Sequence, residues 1–441
     1  MTVTLAGAAI VESLDPASVS HRPLGVEDGR ITADAPRSRG TRDCSGCVIV
    51  PGNVCAHTHL YSALARGMPY RLAPPEDFLQ VLQRIWWRLD RALDLDGVHA
   101  SALVGGAEAL LAGTTTVIDH HASPNAVDGS LDVIAGALGG LGLRSVLCYE
   151  TSDRDGLDVA LAGLAENRRF LGRLEQGESP LARGLVGAHA SFTLSDETLA
   201  ACVELAAEFD VGLHVHAAED AVDVHAVERL AAAHGLDDRT LLAHGVHLDE
   251  HERALVAGSQ AWLAHNARSN MNNSVGRAPV ADYDGRLPLG TDGISSDMFE
   301  ESHAAYFRLR EDDLGALASW PLARLADGAR LAGQIFGEPQ LGRLEPGAPA
   351  DLVVLDYDAP TPLDAQTFAG HWAFGLGARF VRDVMVAGDW VVLDRKLVHT
   401  DAAQLAHDAR REAERLWRRL DELGPHTFEP KGGRRWQTTA A

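Results

Sequence analysis

Residues 51–60 read PGNVCAHTHL, and the fold turns on how this stretch is taken. Its apolar middle, 54–57, has strand length and runs into His57-Thr58-His59. Side chains two apart on a strand share a face, so both imidazoles can reach one point. Working outward, further strand-like runs follow at 115–120, 144–150, 185–189, 211–216, 240–244, 261–265 and 287–291. Between them lie Ala/Leu-rich stretches at 78–111, 157–174, 196–209 and 221–234, with apolar residues near helical spacing. This alternation predicts an α/β chain folded as a (β/α)8 TIM-like barrel. An open doubly wound sheet is the second choice, and no GxGxxG follows the first strand.

Short β-type runs at 3–5, 9–11 and 48–50, and again at 351–356 and 381–393, flank the barrel. They predict a small β-sandwich formed by the N- and C-terminal segments. The expected organisation is therefore 1–52 with 341–400 as the composite sandwich, 53–340 as the catalytic barrel, and 401–441 as a C-terminal helix and tail. The helix is expected at 402–423 and a frayed tail at 431–441.

The 441 residues are 46% hydrophobic and 23% charged, ordinary usage for a large buried core. Sixty-two acidic against 39 basic side chains give a net charge of -23. Such a surface repels phosphate backbones and anionic membranes, so neither nucleic acid nor membrane is expected as a partner. No apolar run approaches the ~18 residues of a membrane span, and no basic segment precedes the short N-terminal apolar stretch. A cytoplasmic protein is expected. Five thinly spread cysteines fit a reducing compartment, and Cys44-x-x-Cys47 reads as a strand entering the main domain rather than a zinc knuckle.

Six strand-like runs carry a histidine near their C-terminal ends, and the eighth is followed by Asp292. Strand C-termini converge at the mouth of a barrel. His216 ends the fifth run in His-Ala-Ala-Glu, which sets Glu219 in the following loop, and His244 ends the sixth. Three imidazoles and a carboxylate (His57, His59, His216, Asp292) suit Zn²⁺ or Fe²⁺ with positions left open. His214 shares the face of His216 but has no Glu three residues on, so it reads as an inward packing residue.

PGNVCAHTHLYSALARGM, HVHAAED, LLAHGVHLDE, HNARSNMNNSVG and LGTDG resemble the amidohydrolase superfamily, in its branch of aminohydrolases acting on nucleobase-like rings. More narrowly, ARGM, WWRLDRALD, GTTTVIDHHASPN, CYETSDRDG and SNMNNSVG are similar to SsnA-type aminohydrolases. The resemblance implies His57, His59, His216 and Asp292 as metal ligands, His244 against the reacting water and Glu219 as proton carrier. It further implies a homo-oligomer. Two-metal members of the superfamily use a barrel lysine, and the only lysines here are Lys396 and Lys431. One divalent ion per chain is thus expected, zinc first and ferrous iron second.

The implied reaction is hydrolytic deamination of an amino-substituted nitrogen heterocycle (purine, pyrimidine or pterin-like). Water activated by the ion attacks the ring carbon, Glu219 carries the proton and ammonia leaves. Loss of chloride or an alkylamine, or opening of a cyclic amide, is the alternative; a noncatalytic metal-binding protein ranks last. Tyr61, Arg66, Trp87, His120 and His189 are expected to contact a small heterocyclic substrate, together with Glu219. For Arg66 a salt bridge is an equal reading, and Trp86, His121, His265 and Asn270 are weaker candidates. His247, His251 and His303 read as solvated, and Cys55 as a small buried apolar residue.

Overall fold

The computed structural model describes residues 2–33, 40–177, 179–281, 283 and 285–430. Seven parallel strands surround the centre: Asn53–Thr58, Thr114–His121, Arg144–Tyr149, Val186–Ala190, Leu213–Ala217, Leu241–His244 and Trp262–Ala264. Every residue in them is buried, as expected of parallel strands covered on both faces. They form two four-stranded sheets, the first completed by the short strand Ala182–Gly184.

Backbone hydrogen bonds link the two sheets at both edges. On one side Thr151 N bonds Gly187 O at 3.2 Å and His189 N bonds Thr151 O at 2.9 Å. On the other, residues 286–292 lie between the seventh and first strands, through Leu263 N to Arg286 O at 3.0 Å and Ala56 N to Leu289 O at 2.9 Å. The eighth run, expected as a strand at 287–291, is an extended segment held by isolated bridges instead. Gly290 explains its close approach: a Cβ there would meet Asn266 Oδ1 at 2.4 Å and the His57 Cβ at 2.8 Å.

Two helical expectations need correction. The stretch 78–111 is broken: Phe78–Val81, a π turn Leu82–Trp86, and Trp87–Ala92 precede a separate helix Leu95–Leu111. Leu93 is extended, and the Asp94 side chain caps the next helix by accepting from Gly97 N at 3.0 Å. Within 221–234 only Ala226–Ala232 is helical. Asp223 accepts from Ala218 N and Phe192 N at 2.9 and 3.0 Å, and Asp220 accepts from Val222 N, so the chain before Ala226 turns locally.

Chain ends meet in a seven-stranded sheet, where Val48–Pro51 pairs antiparallel with Leu352–Leu355 and parallel with Ala9–Leu14. A four-stranded sheet (Arg30–Thr32, Leu24–Glu27, Thr2–Ala6, Thr41–Asp43) lies over it. Leu5, Ile10, Leu24, Ile49, Leu352 and Met385 fill the space between. Cys44 and Cys47 are buried there with the Arg382 guanidinium 3.3 Å from each sulfur. The terminal helix Ala402–Asp421 packs through Leu416 and Leu420, with Arg415 Nη2 2.6 Å from Asp94. His303, expected to be solvated, is half-buried and held by Trp372 O at 2.8 Å. The tail at 431–441 lies outside the described residues. Among the described residues, no helix is long and apolar enough to cross a membrane.

Candidate metal centre and cavity

The first barrel strand delivers His57 and His59 to its end, the fifth delivers His216, the sixth stops at His244, and Asp292 closes the eighth segment. One potential ligand atom from each of His57, His59, His216 and Asp292 lies within 4.8 Å of the other three. His59 Nε2 is 3.0 Å and His57 Nε2 3.4 Å from Asp292 Oδ1. The sequence-predicted ligands are therefore brought together.

The donor set fits a cation. His59 donates its Nδ1 proton to His120 O at 2.6 Å, and His216 donates its own to His189 O at 2.8 Å. Those bonds leave the two Nε2 atoms facing each other 3.1 Å apart, where they can share one cation. His57 Nε2 is buried with no hydrogen-bond partner. Burial opposes charge on His59, but Asp292 outweighs burial and draws its pKa up to about 9. Burial likewise works to raise Asp292, yet His57 and His59 hold it well below the usual carboxylate range. This is the field of a site built for a divalent ion.

One short helix, Ala267–Asn272, and the residue after it orient the polar neighbours. Ser269 Oγ donates to Asp292 Oδ2 at 2.5 Å, Asn270 Oδ1 accepts from His244 Nδ1 at 2.9 Å, and Asn273 Nδ2 donates to Glu219 Oε1 at 3.3 Å. His244 Nε2 lies 3.6 Å from Glu219 Oε2. Glu219 is largely withdrawn from solvent, which pushes its pKa up to about 7 against the pull of His244. His244 and Asp292 have left-handed backbones, with φ of 78° and 53°, strain that recurs where side chains must be aimed.

The centre opens into a narrow cavity of about 40 Å³. Tyr61, Trp86, Trp87, His189, Glu219 and Asn273 line it, with Asp90, Glu150, Asp220 and Asp223. Among the described residues, no arginine or lysine does. Arg66, expected at the substrate, makes a bidentate pair with Glu108 at 2.7 and 2.8 Å instead, the alternative left open by the sequence. His120 is also not in the lining: its ring is spent on Glu150 at 3.1 Å and His214 O at 3.0 Å, behind the cavity wall.

Sequence reasoning missed a buried ionic wall. Arg154 Nη1 meets Glu150 Oε1 at 2.5 Å, its Nη2 meets Asp90 Oδ2 at 2.7 Å, and its guanidinium lies 5.4 Å from the Trp87 ring centre. A second ligand grouping, His59, His120, Glu150 and His216, overlaps the first, but the Arg154 contact commits Glu150 elsewhere. CYETSDRDG contains both residues, yet nothing in the string signals that Asp90, distant in sequence, completes the pair.

A ring of parallel strands with three imidazoles and a carboxylate at its C-terminal mouth defines a barrel protein of the metal-binding hydrolase type. The chain belongs to the amidohydrolase family, whose sequence model matches residues 48–391. It is 34% identical over 436 residues to a 5-methylthioadenosine/S-adenosylhomocysteine deaminase of Nitratidesulfovibrio vulgaris, covering 92% of this chain and 94% of that protein. An 8-oxoguanine deaminase of Pseudomonas aeruginosa is 30% identical over 436 residues, 89% of this chain and 94% of that one. Among solved structures, a zinc-bound adenosine deaminase from Xanthomonas campestris superposes with a TM-score of 0.80 at 26% identity, covering 94% of this chain and 98% of the other.

Proposed function

We propose that this protein is a metal-dependent aminohydrolase that removes an exocyclic amino group from a purine-like or related nitrogen heterocycle and releases ammonia. The observation that carries the reading is Glu219, a largely desolvated carboxyl with a pKa near 7, close to both His244 and Asp292. His57, His59, His216 and Asp292 would hold one divalent ion, with zinc as the first choice. Such an ion supplies Lewis acidity that makes a nucleophile of water near neutral pH.

The chain's own groups handle the protons. His244, its Nδ1 tied to Asn270, turns Nε2 towards the attacking water and orients it. Asp292 takes the proton that the water gives up. Glu219 protonates the ring nitrogen beside the carbon under attack, so the electrons of that C=N bond are accepted as an N–H bond forms. A proton passed on to the exocyclic nitrogen lets the C–N bond break with ammonia as a neutral leaving group. The carbon retains the water oxygen as a carbonyl. Departing chloride would need no such proton, and Glu219 therefore favours ammonia loss.

Tyr61, Trp86 and Trp87 supply flat apolar faces for a ring, and His189 a polar contact. A lining with several carboxyl groups and, among the described residues, no arginine or lysine favours substrates lacking phosphate or carboxylate groups. We assign catalysis to 53–340 and a supporting role to 1–52 with 341–400. Five buried, unpaired cysteines favour the cytoplasm, and family membership favours a homo-oligomer. The test is ammonia release by zinc-loaded protein across adenosine, 5′-methylthioadenosine, guanine and 8-oxoguanine, beside Glu219→Gln. Ammonia from at least one substrate, lost roughly 10²–10⁴-fold in the variant at unchanged zinc content, is expected. Hydrolysis without ammonia would overturn the leaving-group assignment.

A further inference from the structure

The three imidazoles of the centre are supported unequally. His59 and His216 lean on backbone carbonyls that no substitution removes. His57 leans on a side chain: its Nδ1 stands 2.9 Å from His214 Nε2, in a region where both rings are wholly buried. His214 is anchored in turn, its Nδ1 3.7 Å from Cys148 Sγ and its carbonyl accepting from His120 Nε2 at 3.0 Å. An inward residue with only a packing role needs none of these bonds.

We propose that His214 is a positioning residue that sets the tautomer and ring orientation of His57 for metal binding; the inference rests on the reading of His57 as a ligand. A lone pair on His57 Nε2 requires the proton on Nδ1, and that proton needs an acceptor because the ring is wholly buried. His214 Nε2 is that acceptor, which places the proton of His214 on Nδ1, toward the weakly accepting sulfur of Cys148. The relay is one of fixed tautomers and moves no charge. Without His214 the Nδ1 proton of His57 would be buried without a partner, and the ring would gain by moving that proton to Nε2, where it blocks the metal.

Zinc affinity of the full chain, measured by competition with a chromophoric chelator, tests this with wild type, His214→Leu and His214→Gln. Leu is expected to weaken zinc binding by roughly 10–100-fold while the metal-free melting temperature changes little. Gln, whose Oε1 reaches near the position of the imidazole Nε2, is expected to restore most of the affinity. A Leu variant that binds zinc as tightly as wild type overturns the assignment, as does a Gln variant as weak as Leu, which would make the role one of packing. If Leu does not fold, His214→Asn, too short to reach His57, carries the same expectation. A wild type that takes up no zinc overturns the metal reading itself, an outcome distinct from the others.

Discussion

Ser269 donates its hydroxyl to Asp292 Oδ2 at 2.5 Å, which leaves Asp292 Oδ1 to face His57 and His59. The two carboxylate oxygens thus have different duties. Ser269→Ala frees the carboxylate to rotate and is expected to loosen zinc by about tenfold, the usual loss when a ligand's orienting partner goes. Ser269→Thr, which keeps the hydroxyl, should retain the affinity in the same chelator titration.

Removal of metal should lower stability, because the folded chain gathers four ligand atoms around one point and the unfolded chain does not. Ligand held at about 100 times its Kd stabilises by about 2.7 kcal/mol. Thermal melts after chelation should therefore shift down and return as zinc is added back. Elemental analysis of the reloaded protein should plateau at about one ion per chain; about two would show that Glu150 leaves Arg154 to bridge a second ion.

Arg154 is 6% exposed and contacts both Glu150 and Asp90. Replacing it by Met strands the buried Glu150 carboxylate and removes a donor from Asp90, and the expected loss is roughly 3–5 kcal/mol in denaturant unfolding. Adding Glu150→Gln and Asp90→Asn to that variant should recover much of the loss. A single Arg154→Met change that costs nothing would mean the wall is wetter than its burial implies.

Asp119 accepts from Leu60 N at 2.7 Å, and burial pushes its carboxyl up to about 7 from 3.8. In the fold it holds a proton that the unfolded chain releases above about 3.9. The associated stability is fully present below the unfolded value and is lost as pH rises through 7. Asp119→Asn keeps the acceptor and removes the titration. In metal-free protein, stability between pH 4 and 8 should fall less in the variant, by up to about 4 kcal/mol.

Much of the architecture was legible along the chain. Strand–helix alternation marked the barrel, and His57-x-His59, His216 and His244 announced themselves at or next to strand ends, with Glu219 three residues after His216 and Asp292 after the eighth extended run. Arg66 misled because its neighbour Glu108 lies on another helix, a pairing that spacing does not encode. His120 misled because strand alternation fixes a side of the sheet but not depth, and its ring meets Glu150 before it meets the cavity.

From residue order alone came the barrel, the chain-end pairing and the identity of the converging side chains, since these follow from local periodicity and strand polarity. Only the folded molecule decided which groups hold them in place: Ser269 on Asp292, Asn270 on His244, His214 on His57 and Arg154 between Glu150 and Asp90. Such partners are picked by packing across elements far apart in the chain, where a shift of an ångström exchanges one hydrogen bond for another and no pattern of residues records the choice.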